Sequence, residues 1–261
     1  MLYSRLPVEE RAAAAARDGY SYVETWWPFE QSAPASEQID RFCSSLRRAG
    51  VRLAALNLDA GDPRAGERGL LTDPGHDHRV QANLNSAVEI LSDTKCTVLN
   101  ALYGNRLRGH DERDQDRLAL RRLAEIADRV AGMGVTVVVE TLNSIDSPRF
   151  PLTDIADTAA LVTAAITRSR HGNIGLLLDT YHLRMMDVDP VIAIDKYGPL
   201  IRHVQFADAP GRGRPGTGRI DFDGVTRALT EIGYTGFIGL EYDPSVPAPG
   251  TDIGWTPSPQ G

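Results

Sequence analysis

Apolar positions along the chain alternate between helical spacing and short runs rich in Val, Ile and Leu. The helical spacing predicts helices over residues 7–18, 36–49, 77–92, 111–133, 154–170, 188–197 and 222–232. The apolar runs between these helices predict seven strands, with the sequences YSYVETW, VRLAALNL, CTVLNALY, VTVVVE, IGLLLD, IRHVQFA and GFIGLEY.

Single helices between successive strands indicate right-handed βαβ units and a parallel sheet. The length of 261 residues suits one α/β barrel. We therefore predict an α/β fold, a (β/α)8 TIM barrel, with one domain over residues 1–242 and an irregular tail over residues 243–261. A doubly wound open sheet is the alternative architecture, but no G-x-G-x-x-G motif follows the first predicted strand.

Seven predicted strands are one fewer than a (β/α)8 barrel contains. The opening segment MLYS is long enough only for the end of a first strand, so we expect that strand to be truncated or missing. The segment after Tyr242 is rich in Pro and Gly, which predicts no regular eighth helix.

Charge and cysteine content narrow the choice of partner. The net charge of −7 argues against nucleic acid, and no run of eighteen or more apolar residues is present to span a bilayer. Cys43 and Cys96 have neither metal-binding spacing nor a disulfide pattern, and no signal peptide opens the chain. We expect a cytoplasmic protein that acts on a small molecule without nucleic-acid or membrane partners, with a homo-oligomer as one option.

Four predicted strands end in side chains that carry oxygen ligands: Glu140, Asp179, Gln205 and Glu241. The carboxyl ends of all barrel strands open onto one face, where the βα loops build the active site. Clustered carboxylates in a pocket of low dielectric either have raised pKa values or share a cation. Oxygen ligands without thiolates favour one divalent ion, Mg²⁺ or Mn²⁺, with Co²⁺ or Zn²⁺ as alternatives.

Each strand-end carboxylate, taken alone, could instead be a helix N-cap or an ion-pair partner. Among the neighbouring residues, His182 lies just beyond a strand end and is predicted to face the substrate. For His203, a substrate contact and a place in the core are equally supported alternatives. Asn57 and Trp26, which end two earlier strands, are predicted to line the pocket, although an aromatic residue at a strand end can also belong to the core.

The segments NLDAGDPRAGERGL, GLLLDTYH, IRHVQFAD and GYTGFIGLEYDP resemble the hydroxypyruvate isomerase family of the xylose isomerase-like TIM-barrel superfamily. The similarity extends over nearly the whole chain, to Gly254 and Trp255. Members of this family usually carry a further segment before the counterpart of MLYS, which forms their first strand. We therefore expect either that the start of this sequence is misplaced or that its barrel is incomplete.

The resemblance also implies roles for individual residues. Arg212, in the loop PGRGRPG, would hold the acidic end of the substrate, whereas we expect Arg214 and Arg219 to face solvent. His182 would contact a substrate oxygen. One divalent metal ion would be bound by Glu140, Asp179, Gln205 and Glu241, with Glu140 and Glu241 also transferring the proton.

The activity that follows is metal-dependent isomerisation of a short hydroxy-oxo acid, hydroxypyruvate to tartronate semialdehyde, through an enediolate. The alternative is an isomerase or epimerase that acts on a larger or pathway-specific ketose, and the bulky pair Trp26 and Trp27 is the feature that supports this alternative. Two further alternatives are a nuclease resembling the apurinic endonucleases, which need several zinc ions and many histidine ligands, and a barrel that has lost catalysis. The chain has six histidines, of which only His182 and His203 lie near predicted strand ends.

Overall fold

The computed structural model describes residues 2–246 and contains one sheet of seven parallel strands in the order β1 to β7. Each strand pairs with the next one along the chain, so the doubly wound alternative is excluded and the predicted barrel is confirmed, with seven strands in a nearly closed ring. The strands are β1 (Tyr22–Thr25), β2 (Arg52–Asn57), β3 (Val98–Asn100), β4 (Thr136–Glu140), β5 (Ile174–Asp179), β6 (Ile201–Phe206) and β7 (Ile238–Leu240).

Helix α1 precedes β1, and helices α2 to α8 lie between the strands. The predicted helices are all present, and an unpredicted one, Thr180–Met185, begins directly after β5. The helices are α1 (Val8–Arg17), α2 (Ser36–Ala49), α3 (Asp77–Thr94), α4 (Glu112–Val130), α5 (Ile155–Arg168), α6 (Thr180–Met185), α7 (Pro190–Tyr197) and α8 (Phe222–Glu231). Single 3₁₀ turns cover Pro63–Ala65, Pro74–His76, Ala131–Met133 and Gly198–Leu200. None of the helices between residues 2 and 246 combines the length and apolar character that crossing a membrane requires.

Side chains on the central strands alternate between two environments. One set packs outward against the helices and belongs to the main core, as Val137 and Val139 do. The other set points into the barrel and forms a separate cluster of Ala55, Val98, Val138 and Leu177. Because the alternation continues to the carboxyl end of each strand, every second residue there also points into the barrel.

The barrel has an open seam between β1 and β7, because β1 pairs only with β2 and β7 pairs only with β6. A cavity of about 520 Å³ lies at the seam, lined by α1 and by both edge strands. An eighth strand of a (β/α)8 barrel would lie here. Beyond β7, residues 241–246 are not helical, and most of the predicted tail, residues 247–261, lies outside the described residues. The boundary of the domain at residue 242 stays a prediction.

Candidate active site at the carboxyl ends of the strands

The four predicted metal ligands come together at one end of the barrel. Glu140 continues the inward-facing row of Val138, and Asp179 continues that of Leu177. Asp179 is paired in register with Gln205, which is in turn paired with Gly239, two residues before Glu241. All four side chains are buried. The period of two along each strand is therefore the physical reason that these residues converge.

Asp179 has two roles in the structure. Its Oδ1 accepts hydrogen bonds from the backbone N–H groups of Tyr181 and His182, at 2.7 and 3.3 Å, which caps α6. Its Oδ2 faces the centre of the site, 3.9 Å from Nε2 of His182. Asp179 is therefore a helix cap in the structure, and its role as a metal ligand stays a prediction.

Two neutral donors contact the predicted proton-transferring glutamates. Asn100 donates through Nδ2 to Oε2 of Glu140 at 3.1 Å. The indole of Trp26, directly after β1, donates through Nε1 to Oε1 of Glu241 at 2.8 Å across the seam. Both bonds favour the ionised carboxylate and fix the orientation of its oxygens.

His182 lies beside the carboxylates with its tautomer fixed by the backbone. The N–H of Asn143 donates to Nδ1 of His182 at 3.0 Å, so Nδ1 is an acceptor and Nε2 carries the proton of the neutral ring. Burial, followed by the positive charge of Arg212, lowers the pKa of His182 well below its usual value. Nε2 lies 3.7 Å from Oε1 of Glu140. The ring is thus a neutral donor aimed at the centre of the site.

Arg212 supplies the positive charge of the cluster. Its guanidinium lies 3.0 Å from Oε2 of Glu241 and 3.3 Å from Oδ2 of Asp179, and it stacks on the ring of Tyr181. Burial lowers the pKa of Arg212, but the charges of Glu241, Asp179 and Glu140 outweigh burial and raise the pKa above its usual value. Arg212 therefore stays cationic among the carboxylates.

The loop that carries Arg212 is organised by Asp208, which is fully buried. Its Oδ1 accepts from the backbone N–H groups of Ala209 and Ile220, and its Oδ2 accepts from those of Gly216 and Gly218. A buried carboxylate that accepts hydrogen bonds from several backbone N–H groups needs no counter-ion nearby. Asp208 thus holds the loop, and both of its oxygens are occupied by backbone donors. Arg214 and Arg219, expected to face solvent, are exposed.

Burial raises the pKa of the three clustered carboxyls. The pKa of Glu241 rises to about 7, with the charges of Glu24 and Asp179 adding to burial and Arg212 opposing it. The pKa of Glu140 rises well above its usual value, again through burial first and then through Glu241 and Asp179. Burial also raises the pKa of Asp179. One guanidinium does not compensate this cluster, which is the electrostatic situation that a divalent cation relieves.

A second observation also supports a divalent ion bound by these four side chains. Gln205 donates through Nε2 to Glu24 at 3.0 Å, whereas its buried Oε1 has no hydrogen-bond partner among residues 2–246. A buried carbonyl oxygen without a partner costs about 1–3 kcal/mol, and a hard cation would satisfy it. Ligand atoms of Glu140, Asp179 and His182 also lie within 4.8 Å of one another. His182 is the less suitable ligand of these, because its Nε2 carries a proton.

A cavity of about 500 Å³ opens above the cluster and is lined by the loops that follow the strands. Asn57 and Trp26, two of the residues predicted to contact substrate, line it, and Trp26 is 42% exposed. Arg68, which no sequence argument singled out, also lines it, and its Nε donates to Ser147 at 3.1 Å. His203 instead contacts Glu24 at the seam and is absent from the described lining of this mouth cavity.

Trp27 differs from Trp26 although the two are adjacent. Its Nε1 donates to the backbone oxygen of Gln31 at 2.9 Å, and its ring packs edge-on against Phe29, which contacts Phe42 in the same way. Trp27 therefore fixes the loop after β1, and Trp26 alone of the pair bonds to a predicted site residue.

The chain is similar in sequence and in structure to known proteins with a TIM-barrel fold. A sequence profile described as xylose isomerase-like TIM barrel covers residues 12–258. A Streptomyces coelicolor protein, named provisionally as a hydroxypyruvate isomerase, is 40% identical over 99% of this chain and 93% of its own length. A 2-oxo-tetronate isomerase of Haemophilus influenzae is 27% identical over 94% of this chain and 91% of its own length. A crystal structure described as an AP endonuclease of family 2 from Brucella melitensis superposes with a TM-score of 0.82 at 28% identity, over 94% of this chain and 91% of that one.

Proposed function

This chain belongs to the xylose isomerase-like TIM-barrel family, and on that premise we propose that it isomerises a short hydroxy-oxo acid, with hydroxypyruvate and tartronate semialdehyde as the reacting pair. The observation that carries the proposal is the convergence of Glu140, Asp179, Gln205 and Glu241 on one buried centre, beside a neutral histidine donor. Curated relatives of this chain are named as isomerases of hydroxypyruvate and of 2-oxo-tetronate.

The reaction moves one proton between neighbouring carbons. A C–H bond of the hydroxymethyl group breaks, its electron pair forms a carbon–carbon double bond, and the former carbonyl oxygen takes the negative charge. A proton delivered to the neighbouring carbon forms a C–H bond there. The hydroxyl proton leaves the oxygen of the former hydroxymethyl group, which becomes the aldehyde oxygen, and the former carbonyl oxygen takes up a proton to become the hydroxyl group of the product. The proposed acid-base pair is Glu140 and Glu241, which lie on β4 and just after β7, on either side of Asp179 and Gln205 in strand order.

The remaining residues stabilise charge and hold the substrate. His182 donates its Nε2–H to the oxygen on which negative charge develops, which is the function of an oxyanion-stabilising donor. Glu140, Asp179, Gln205 and Glu241 would hold one divalent ion, Mg²⁺ or Mn²⁺. When bound, such an ion would polarise the carbonyl as a Lewis acid.

Two guanidinium groups are candidates for the carboxylate end of the substrate. Arg212 is the one implied by the family resemblance, and its stacking on Tyr181 keeps it at the centre of the site. Arg68 lines the same mouth cavity and lies close enough to His182 to lower its pKa. An anionic substrate between the two would be attracted electrostatically and oriented by hydrogen bonds from the guanidinium N–H groups.

A longer substrate is the second candidate. The mouth cavity of about 500 Å³ leaves room for more than three carbons, and one relative is named as a 2-oxo-tetronate isomerase. His203, for which a substrate contact and a place in the core are the two predicted alternatives, contacts Glu24 at the seam. Its contact with substrate, a cytoplasmic location and assembly into a homo-oligomer all stay predictions.

A nuclease with several zinc ions is disfavoured by the ligands available. The metal-capable cluster found among the described residues consists of Glu140, Asp179 and His182, and contains a single histidine. The intact set of carboxylates also argues against a barrel without catalysis.

Turnover after metal removal tests the proposal. We would strip the protein with chelator, restore Mg²⁺ or Mn²⁺, and follow hydroxypyruvate, a 2-oxo-tetronate and longer ketoses in parallel. Hydroxypyruvate turnover that is lost with chelation and restored by metal is the expected result. Turnover of longer ketoses alone would favour the second candidate, and turnover that chelation leaves unchanged would refute metal dependence.

A further inference from the structure

Glu24, near the end of β1, lies among buried polar groups at the seam of the barrel. Its Oε1 accepts a hydrogen bond from Nε2 of Gln205 at 3.0 Å, and its Oε2 lies 2.6 Å from Nε2 of His203. The side chain is 18% exposed. Both oxygens of one carboxylate are therefore committed to two inward-facing residues of β6.

The bond to Glu24 decides which end of the Gln205 amide faces the site. A primary amide has a donor end and an acceptor end, and rotation by half a turn exchanges them at little intrinsic cost. A carboxylate can only accept, so it binds the NH₂ end and turns Oε1 away. That Oε1 is the buried oxygen without a hydrogen-bond partner in the described part of the chain.

The seam provides the space for this arrangement. A Cβ atom at Gly239 of β7 would clash with the carboxylate of Glu24, so a larger residue at position 239 would displace that carboxylate. Gly239 is the register partner of Gln205. Because Gly239 has no side chain, the carboxylate of Glu24 has room beside the Gln205 amide.

We propose that Glu24 is a positioning residue that, through Nε2 of Gln205, presents Oε1 of Gln205 to the divalent ion. The inference rests on the proposed function, since it requires that the site bind a metal. Outer partners that orient a ligand typically contribute about 10- to 100-fold in metal affinity. Glu24 therefore affects metal binding without contacting the ion.

A double-mutant cycle on Mn²⁺ affinity tests this role. Mn²⁺ binding would be measured by electron paramagnetic resonance on the wild type, Glu24→Ala, Gln205→Ala and the double variant. We expect Glu24→Ala to weaken Mn²⁺ binding by about 10- to 100-fold in the wild-type background. In the Gln205→Ala background it should change affinity less than about twofold, because the oriented ligand is already absent.

Further variants distinguish the proposed role of Glu24 from unfolding and from the loss of one negative charge. Glu24→Gln preserves the shape but offers one acceptor oxygen to two partners, so its Mn²⁺ affinity should lie between those of the wild type and Glu24→Ala. Glu30→Ala, on the rim of the mouth cavity, removes the same charge without contacting Gln205, and should bind Mn²⁺ like the wild type. Thermal unfolding of each protein would establish that it is folded.

The outcomes separate the two proposals. A wild type that fails to bind Mn²⁺ would overturn the proposed metal site. A wild type that binds, with Glu24→Ala and Glu24→Gln equally tight, would overturn only the role of Glu24. Equal losses from Glu24→Ala in both backgrounds would also overturn it, because the effect would then bypass Gln205.

Discussion

The indole Nε1 of Trp26 and Oε1 of Glu241 are joined by a hydrogen bond of 2.8 Å that crosses the seam between β1 and β7. The two residues are 215 positions apart in sequence. This bond connects the first and last described strands at the carboxylate proposed to transfer a proton. The orientation of Glu241 therefore depends on a side chain from the opposite edge of the sheet.

Replacement of Trp26 by Phe should lower kcat/KM by about tenfold or more, because a hydrogen bond to a charged group contributes about 1.5–3 kcal/mol. Trp27→Phe is the matched control, since it removes an indole N–H that donates to the backbone of Gln31 instead. Steady-state kinetics on both variants would check this. Equal losses from the two substitutions would contradict a specific role for Trp26.

Replacement of His182 by Ala should reduce kcat by about 10²- to 10³-fold, because the donor to the developing oxyanion is lost. Mn²⁺ affinity should change less than threefold, as the protonated Nε2 is not expected to be a ligand. His182→Gln, which retains an N–H donor, should recover part of the rate. A tenfold loss of Mn²⁺ affinity in His182→Ala would instead identify the histidine as a ligand.

Replacement of Asp208 by Asn should lower kcat/KM by about tenfold, through the loop that carries Arg212. Asparagine has one acceptor oxygen, whereas the four backbone N–H groups around Asp208 need two. Kinetics and circular dichroism would be compared with those of the wild type. Unchanged kcat/KM in a folded variant would show that Asp208 does not set the geometry of Arg212.

The metal-free protein should lose stability as the pH rises from about 4.5 to 7. Burial raises the pKa of Glu241 to about 7, with Glu24 and Asp179 adding and Arg212 opposing, and burial also raises the pKa of Glu140 well above its usual value. The folded state thus binds protons that the unfolded state has released, and each such group contributes a slope of up to about 1.4 kcal/mol per pH unit.

Urea unfolding of chelator-treated protein across this pH range would check that slope. Glu241→Gln has no proton to release at this position, so its stability should fall less steeply with pH than that of the wild type. Equal slopes for the two proteins would contradict the raised pKa of Glu241.

The periodicity of the chain was sufficient to predict the barrel and the convergence of its strand ends. Inward and outward positions alternate along each strand, so Glu140 and Asp179 follow directly from the apolar residues two positions before them. Glu24 carried the same signal at the end of β1. The irregular register between Val23 and Glu24 obscured it, because a bulge changes which residues face inward.

Contacts made by the backbone were not predictable in this way. The N–H of Asn143 fixes the tautomer of His182, and backbone N–H groups surround Asp208, but every residue except proline has such a group. Helix α6 does not follow from the sequence pattern, because it is only six residues long and its cap, Asp179, also has the position of a ligand at a strand end. Loop residues such as Arg68 lack a periodic pattern, so only the folded chain brings them to the cavity.

Deuterium exchange into substrate tests the central claim most directly. Mn²⁺-loaded wild type and Glu241→Gln would be incubated with hydroxypyruvate in D₂O, and exchange at the hydroxymethyl carbon followed by nuclear magnetic resonance. We expect exchange by the wild type and a loss of about 10²- to 10⁴-fold in Glu241→Gln, the range for removal of a general base. Exchange at the wild-type rate in a folded, Mn²⁺-loaded Glu241→Gln would contradict proton transfer by the two glutamates.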